Sequence, residues 1–159
     1  MDELLKLLRD NAALRPRQLA ELLDTSEAEV ADRISAYEKN EIILGYRTVL
    51  NEEKLNVEMV RAVIEVKITP EREGGFDRVA LRISRFEEVQ SCYLMSGGYD
   101  LLVVVEGSDL RSVATFVSEK LATMTGVIST ATHFILKPYK EFGVMMASEY
   151  SDEKLAVAP

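Results

Sequence analysis

A glycine-containing turn is the first stretch whose residues could bind a small molecule. Residues 95–100 read Met-Ser-Gly-Gly-Tyr-Asp, and Gly97 and Gly98 can each take a positive φ without a Cβ clash. The residues that follow alternate as in a strand, with one side formed by Tyr99, Leu101, Val103 and Val105. The pattern predicts a β-hairpin whose turn is either only a turn or part of a small-molecule site.

Arginines in the first third of the chain are the residues that could bind nucleic acid. The outward positions of the third predicted helix include Glu27, Glu29, Asp32 and Arg33. Of these, only Arg33 suits a guanine edge or a phosphate. Residues 1–57 hold 12 acidic and 8 basic side chains, which gives a net charge of −4. DNA binding would therefore depend on dimerisation and on a few cations, namely Arg15, Arg17, Arg33 and Arg47.

The other reactive side chains predict no catalytic or metal site. His133 is the only histidine, and we interpret it as structural or as part of an interface. Cys92 is the only cysteine, which excludes an internal disulfide and a cysteine-based zinc cluster. The sequence also contains no phosphate-binding loop and no nucleophile elbow. We therefore predict that the chain is not an enzyme and needs no cofactor and no metal ion.

Composition narrows the class of protein further. The 159 residues are 47% hydrophobic and can form one medium domain or two small ones with a real core. A net charge of −8 argues against broad, nonspecific affinity for nucleic acid but not against a small local DNA-binding face. No run approaches the roughly 20 apolar residues that span a bilayer. We expect a cytoplasmic protein that does not associate with membranes.

Three short helices are predicted within residues 1–50. The second and third are separated by a tight turn, as in a helix-turn-helix. Pro16 suits the first turn of the second helix, where its missing N–H costs nothing. Ala20 is the small residue needed where two helices cross. A three-helix packing module without a role in DNA binding fits the same pattern.

The third helix has a predicted cap at each end. Ser26 and Glu29 form a capping box, in which hydroxyl and carboxylate reciprocally bind the first free N–H groups. The helix runs to about Lys39, and Asn40 is expected to end it in the left-handed region. Residues 42–50 then form an extended wing or linker.

The rest of the chain predicts a second domain. Polar residues 51–58 are interpreted as a linker, residues 59–143 as the domain and residues 144–159 as a tail. The predicted elements are, in chain order, a strand from Ala62 to Thr69, a helix from Phe76 to Phe86, strands over residues 89–95 and 101–106, a helix over residues 110–124 and a strand from Val127 to Lys137. This β-α-β-β-α-β order is ferredoxin-like. We expect the two helices to cover one face of the sheet.

The alternate strand positions on the other face of the sheet carry side chains that are too apolar to be left exposed to water. They include Val63, Leu102 and Val104, or their neighbours if the register is opposite. An exposed apolar sheet of this size usually marks an interface. The pattern therefore predicts a homodimer that packs sheet to sheet.

The complete set of motifs resembles the leucine-responsive/asparagine regulator (Lrp/AsnC) family over about residues 1–143. The matching stretches are residues 18–22, 26–34, 42–46, 98–101, 126–132 and 136–140. No single stretch is specific, but six in the same order over this length are. The resemblance implies an α+β protein with a winged helix-turn-helix domain followed by the ferredoxin-like domain.

The resemblance also implies a function. Members of the family are bacterial or archaeal transcription regulators that bind double-stranded DNA, dimerise and often assemble four dimers into an octamer. Amino acids or related metabolites bind between dimers near the Gly-Tyr-Asp hairpin, which implies an effector site at Gly97, Gly98, Tyr99 and Asp100, with Thr130 and Thr132 as hydroxyl partners. Glycine N–H groups can hold a carboxylate, and Asp100 can accept from an α-ammonium. The alternative is that the glycines only form the turn and that Asp100 caps an assembly contact.

The implied DNA-binding residues are Arg15, Arg17, Ser26, Glu27, Arg33 and Arg47. Two residues depart from the family pattern. Asp32 stands where a cation is common, and Glu41 stands where a glycine usually ends the helix, so Asn40 is expected to take over that backbone role. Two alternatives remain open. One is a ligand-sensing or assembly module that has lost DNA binding, and the other is a sirohaem decarboxylase-like enzyme, which a single histidine disfavours.

Overall fold

The computed structural model describes residues 1–55, 58–70 and 75–146, apart from the side chain of Glu53. The predicted tail beyond residue 146 and part of the predicted linker lie outside these residues. The chain divides into two compact units, Met1–Leu50 and Asn51–Pro159. Among the described residues, no helix is long and apolar enough to cross a membrane.

The first unit contains the three predicted helices. They are α1 (Glu3–Asp10), α2 (Pro16–Leu23) and α3 (Glu27–Lys39). Helices this short gain most of their stability from packing, and their shared core consists of Leu4, Leu8, Leu19, Ala20 and Val30. Residues 43–51 carry neither helix nor strand, so this segment contains no strand that could form a wing, and Ile43 packs against the core of the first unit.

The start of α3 confirms only half of the predicted capping box. The Ser26 hydroxyl accepts a hydrogen bond from the Glu29 backbone N–H at 3.2 Å. The Glu29 carboxylate does not return to the Ser26 backbone as predicted. It accepts instead from the hydroxyl of Thr25 at 2.6 Å, because that side chain lies within reach of the same helical turn.

The end of α3 shows that the prediction for Asn40 is wrong. Asn40 has a φ of −89°, and Glu41 takes the left-handed conformation at 56°. The Glu41 N–H donates to the Glu38 carbonyl at 3.1 Å, and the Ile42 N–H donates to the Tyr37 carbonyl at 2.8 Å. These are the two bonds of a Schellman motif, which requires the left-handed residue one position after the cap. The steric penalty therefore falls on a residue with a Cβ.

The second unit has the predicted β-α-β-β-α-β order. Its elements are α4 (Glu52–Leu55), β1 (Val60–Ile68), α5 (Asp77–Ile83), β2 (Val89–Leu94), β3 (Leu101–Gly107), α6 (Leu110–Thr115), a π-helical segment (Phe116–Leu121), β4 (Val127–Phe134), β5 (Lys140–Glu141) and β6 (Val144–Met145). The main sheet is antiparallel in the order β2-β3-β1-β4. Strand β4 ends at Phe134, three residues before the predicted Lys137, although the Ile135 N–H still donates to the Arg61 carbonyl of β1 at 2.8 Å.

The core of the second unit lies between the sheet and the helices. Alternate residues of β1 and β3 are buried against α5, α6 and the π-helical segment; the sheet residues are Ala62, Ile64, Val66, Ile68, Leu101, Val103 and Val105. The opposite face, which we call the open face, carries Val63, Leu102 and Val104 with Glu65, Tyr93 and His133. The side chain of Tyr93 is 53% exposed.

The π-helical segment directly continues α6 with a wider helical turn. The Ala122 N–H donates to the Val117 carbonyl five residues earlier, at 2.8 Å. The ring of Phe116 meets that of Phe86 edge to face, with 5.5 Å between centroids. The Lys120 ammonium lies 5.8 and 5.9 Å from these two centroids and also forms an ion pair with Glu88.

Replacing Glu41 with glycine is expected to stabilise the first unit. The free energy of unfolding should rise by about 0.5–1 kcal/mol, because the relief of a left-handed Cβ exceeds the entropy that glycine adds to the unfolded chain. Urea denaturation followed by circular dichroism measures the change. Asn40→Gly is the matched control, since a φ of −89° relieves nothing there and glycine should destabilise. Equal effects of the two substitutions would contradict strain at Glu41.

Candidate functional site

Four predicted DNA-binding residues lie at the starts of α2 and α3. Arg15 precedes α2 and Arg17 lies in its first turn, while Ser26 caps α3 and Glu27 is its first residue. All four are exposed. The Arg17 Nε lies 3.3 Å from a carboxylate oxygen of Glu21, in a pair so exposed that its energy is small. The structure thus brings two cations and one helix cap to the surface of the helix-turn-helix.

Arg47 and Lys39 lie apart from those helix starts. Arg47 is exposed and belongs to the irregular segment that follows α3. Lys39 is the last residue of α3 and, with Arg33, one of its two cations. The remaining exposed side chains of α3 are small or acidic, namely Glu27, Ala28, Glu29, Ala31, Asp32, Ser35, Ala36 and Glu38. The outward surface of α3 is therefore acidic, as the sequence indicates.

Arg33 forms a network with Asp2 and Tyr37 that sequence reasoning missed. The Nη2 of Arg33 donates to both carboxylate oxygens of Asp2, at 2.8 and 2.9 Å. The Tyr37 hydroxyl donates to the same carboxylate at 2.9 Å, and the Leu4 N–H donates to it at 2.8 Å as the cap of α1. Tyr37, seven residues after the buried Val30 on α3, is half-buried with its hydroxyl in this network.

The network stabilises the charged forms of both ionisable partners. The hydrogen bond from Tyr37 is the largest cause that holds the pKa of Asp2 below its usual value, and Arg33 adds to it against the opposing effect of burial. The pKa of Arg33 is raised, with Tyr37 as the largest cause and Asp2 next. Asp2 is more than thirty residues from Arg33 and Tyr37 in the sequence, so no local pattern indicates its contact with them. The one signal in the sequence was the i, i+4 spacing of Arg33 and Tyr37, which places their side chains next to each other on a helix.

Asp100, predicted to contact an effector, is bound to the backbone of β1. Its Oδ2 accepts from the N–H of Ile68 at 2.8 Å. Its own N–H donates to the Val66 carbonyl at 3.0 Å, and its carbonyl accepts from the Met95 N–H at 2.8 Å. The carboxylate thereby continues the β1–β3 pairing past Leu101, where the ladder ends. One carboxylate oxygen is therefore committed to the fold.

The turn beside Asp100 is open in the single chain. A Cβ built at Gly97 or at Gly98 would meet nothing within 4 Å. Both glycines are exposed and Tyr99 is half-buried. Gly97 has a φ of 159°, which residues with a Cβ rarely adopt, whereas neither packing nor a positive φ requires glycine at position 98.

Thr130 and Thr132 lie on β4, apart from the turn. They pair with Val66 and Ile64, whose side chains are buried, so both threonines lie on the face that the helices cover. Strand β1 separates Thr130 from Leu101 at the start of β3, roughly 10 Å away at two strand spacings. Thr132 lies two residues further along. Within one chain the six predicted effector residues form two separate groups.

A cleft that sequence reasoning missed lies near the other end of β1. It encloses about 190 Å³ and is lined by Asn51, Glu52, Met59, Arg61, Ile135, Leu136, Pro138 and Met146. Arg61, only 12% exposed, pairs with Glu52 at 2.8 Å, with Glu106 at 3.0 Å and with Glu141. Arg61 lines the cleft and Ile68 contacts Asp100, and the two residues are seven positions apart on β1. The cleft therefore lies roughly 20 Å from Asp100. It is therefore distinct from the predicted effector residues.

The single histidine and cysteine take part in ordinary contacts. His133 lies on the open face with its Nε2 3.4 Å from a carboxylate oxygen of Glu65. Cys92 is packed against the core, and burial raises the pKa of its thiol. Over the described residues, no group of three or more His, Cys, Asp or Glu side chains is arranged to hold a metal ion.

Comparisons with known proteins match both units. The Lrp/AsnC ligand binding domain family matches residues 61–145. YugG of Bacillus subtilis, an uncharacterised HTH-type transcriptional regulator, is 43% identical over 158 residues, which cover 99% of this chain and 95% of that protein. The proline dehydrogenase transcriptional activator of Rhizobium radiobacter is 28% identical, with 89% and 90% covered.

A solved structure shows the same similarity. It is a transcriptional regulator from Neisseria meningitidis in complex with L-Met, which aligns with a TM-score of 0.68 and 26% identity over 89% of this chain and 93% of that one. With a ligand-binding domain match over more than half of its length and a regulator matched almost end to end, the chain belongs to the Lrp/AsnC family of transcriptional regulators.

Proposed function

We propose that the chain is a cytoplasmic, sequence-specific DNA-binding regulator whose assembly or DNA affinity responds to an amino acid or a related metabolite. The observation that carries this proposal is the nearly full-length match to an HTH-type regulator, which includes both the three-helix unit and the sheet unit. The L-Met bound to the Neisseria relative supports an amino acid as the class of effector.

In this proposal α3 enters the major groove, with Ser26 and Glu27 at its leading end. Arg15, Arg17 and Arg47 contact phosphates, which position the protein without reading sequence. The carboxylates of α3 repel the DNA backbone, so a single copy binds weakly. Two copies on adjacent half-sites double the number of cations and explain how an acidic unit binds DNA.

The dimer forms through the open face. Val63 and Val104 are direct partners across β1 and β3, and Leu102 lies beside them. A second copy of the same face covers these side chains sheet to sheet. Four such dimers can form an octamer, in which the accessible turn at Gly97 and Gly98 meets a neighbouring dimer and completes the effector site.

The acidic surface of α3 favours a second candidate function. A ligand-sensing or assembly module would keep the sheet unit and its turn but would not bind DNA. Because Arg33 is paired with Asp2, few cations remain on α3 to oppose phosphate repulsion. The two candidates differ in one property, which is salt-dependent binding to DNA.

The double substitution Arg15→Ala and Arg17→Ala is expected to weaken DNA binding and to reduce its salt dependence. The slope of log K against log salt should become shallower by about 0.9 for each phosphate that the variant no longer neutralises. Fluorescence anisotropy with a duplex selected in vitro by the wild-type chain measures the slope. Arg9→Ala on α1 is the control and should leave it unchanged. A wild-type chain that selects no duplex would support the second candidate.

Gly98→Ala is expected to abolish the effector response and to leave folding intact. A methyl group at this position has space in the single chain but would displace a ligand that approaches the backbone. A thermal-shift screen against the twenty amino acids detects the effector, because a ligand of the folded form raises stability by about RT ln(1 + [L]/Kd). Gly45→Ala, which is equally unobstructed, is the control. An unchanged shift in Gly98→Ala would contradict the effector role of the turn.

Val104→Lys is expected to convert dimers to monomers, because it places a charge at the centre of the open face. Light scattering coupled to size exclusion gives the mass of the species in solution. Leu81→Lys replaces an exposed leucine of α5 outside that face and should leave the mass unchanged. A dimer that persists in Val104→Lys would rule out packing through this face.

A further inference from the structure

Asp2 is the fixed point of the network around Arg33. Its carboxylate accepts hydrogen bonds from the Leu4 N–H, the Tyr37 hydroxyl and the Arg33 Nη2, which lies almost equally far from both oxygens. An ionised carboxylate offers about four acceptor sites. Three donors from two helices therefore hold this one in a single orientation, although it is one-third exposed.

The contact with Asp2 uses one corner of the guanidinium. Its Nη2 lies 2.8 and 2.9 Å from the two carboxylate oxygens, so both bonds come from the same nitrogen. The Nε and Nη1 donors of Arg33 are not used in the bonds to Asp2, and the Tyr37 hydroxyl also interacts with the guanidinium. Because the guanidinium is rigid and planar, holding one corner sets the direction of the others.

We infer that Asp2 is a positioning residue for DNA recognition: it holds Arg33 so that the remaining N–H groups face acceptors on DNA. The inference rests on the proposed DNA binding and explains how one arginine on an acidic helix can contribute. A free arginine must lose rotamer freedom when it binds, whereas an arginine already held by Asp2 has lost most of that freedom beforehand. Tyr37 supports the arrangement by fixing the second carboxylate oxygen.

The sign of the effect separates this role from simple electrostatics. Asp2 carries a negative charge next to the proposed DNA surface, so its removal should strengthen binding to any DNA through charge alone. Loss of positioning should instead weaken binding to the specific duplex. If Asp2 positions Arg33, its removal therefore lowers the ratio of specific to nonspecific affinity. Removal of its charge alone does not lower that ratio.

Asp2→Ser is the variant that tests this inference. Serine caps a helix about as well as aspartate, so it keeps α1 intact, but its side chain is too short to reach Arg33. We expect about three- to tenfold weaker binding to the duplex selected by the wild-type chain, which corresponds to one immobilised side chain. Binding to poly(dI-dC) should be unchanged or tighter. Fluorescence anisotropy measures both affinities.

Two controls separate positioning from charge and from folding. Asp10→Ser removes a charge at the far end of α1 and should tighten binding to both DNAs slightly. In an Arg33→Ala background, Asp2→Ser should no longer lower the specific affinity, because there is no guanidinium left to position. Thermal unfolding of each variant confirms that the first unit is folded at the temperature of the assay.

The outcomes distinguish this inference from the proposed function. A wild-type chain that binds no duplex would contradict DNA binding itself. If the wild type binds and Asp2→Ser tightens binding to both DNAs, Asp2 competes with DNA for Arg33 and the positioning role is wrong. An unchanged ratio of the two affinities would overturn it as well. A fall in that ratio, absent in the Arg33→Ala background, is the expected result.

Discussion

The second unit depends on the central position of β1. This strand pairs with both β3 and β4, and its alternate residues Ala62, Ile64 and Val66 are fully buried. A strand paired on both sides cannot shift by one residue without moving its apolar side chains to the other face. That constraint sets the register of β3 and β4, and it also decides which side chains form the open face. The fold and the composition of the open face are therefore specified by the same ladder.

Both ends of β1 are bound by charged side chains in addition to the apolar contacts of Val60 and Ile68. At one end Arg61 joins the short helix α4, strand β3 and the β5–β6 hairpin through three carboxylates. At the other end Asp100 binds the Ile68 N–H. Each contact satisfies a polar group that would otherwise lie partly buried without a partner, which is costly. A role of Asp100 in effector binding would therefore share one carboxylate with the fold.

Local patterns in the sequence predicted the order of the elements, the start of α2 at Pro16 and the hairpin before Leu101. These features depend on neighbours within a few residues. The pairs that sequence reasoning missed join distant residues, as with Arg33 and Asp2, which are 31 positions apart, and Ile68 and Asp100, which are 32 apart. The prediction for Asn40 was wrong for another reason. The hydrogen bonds of the Schellman motif require the left-handed conformation at the first position after the C-cap, whichever residue type occupies that position.

The π-helical segment after α6 has a consequence for how this chain tolerates changes in length. Its wider turn holds one residue more than a regular α-helical turn would. An extra residue held in this way leaves the packing on either side in place, because Phe116 and Leu121, the two ends of the segment, both lie in the core. A chain with one residue fewer at this point could therefore form a regular α-helix and still close the same end of the core with the same side chains.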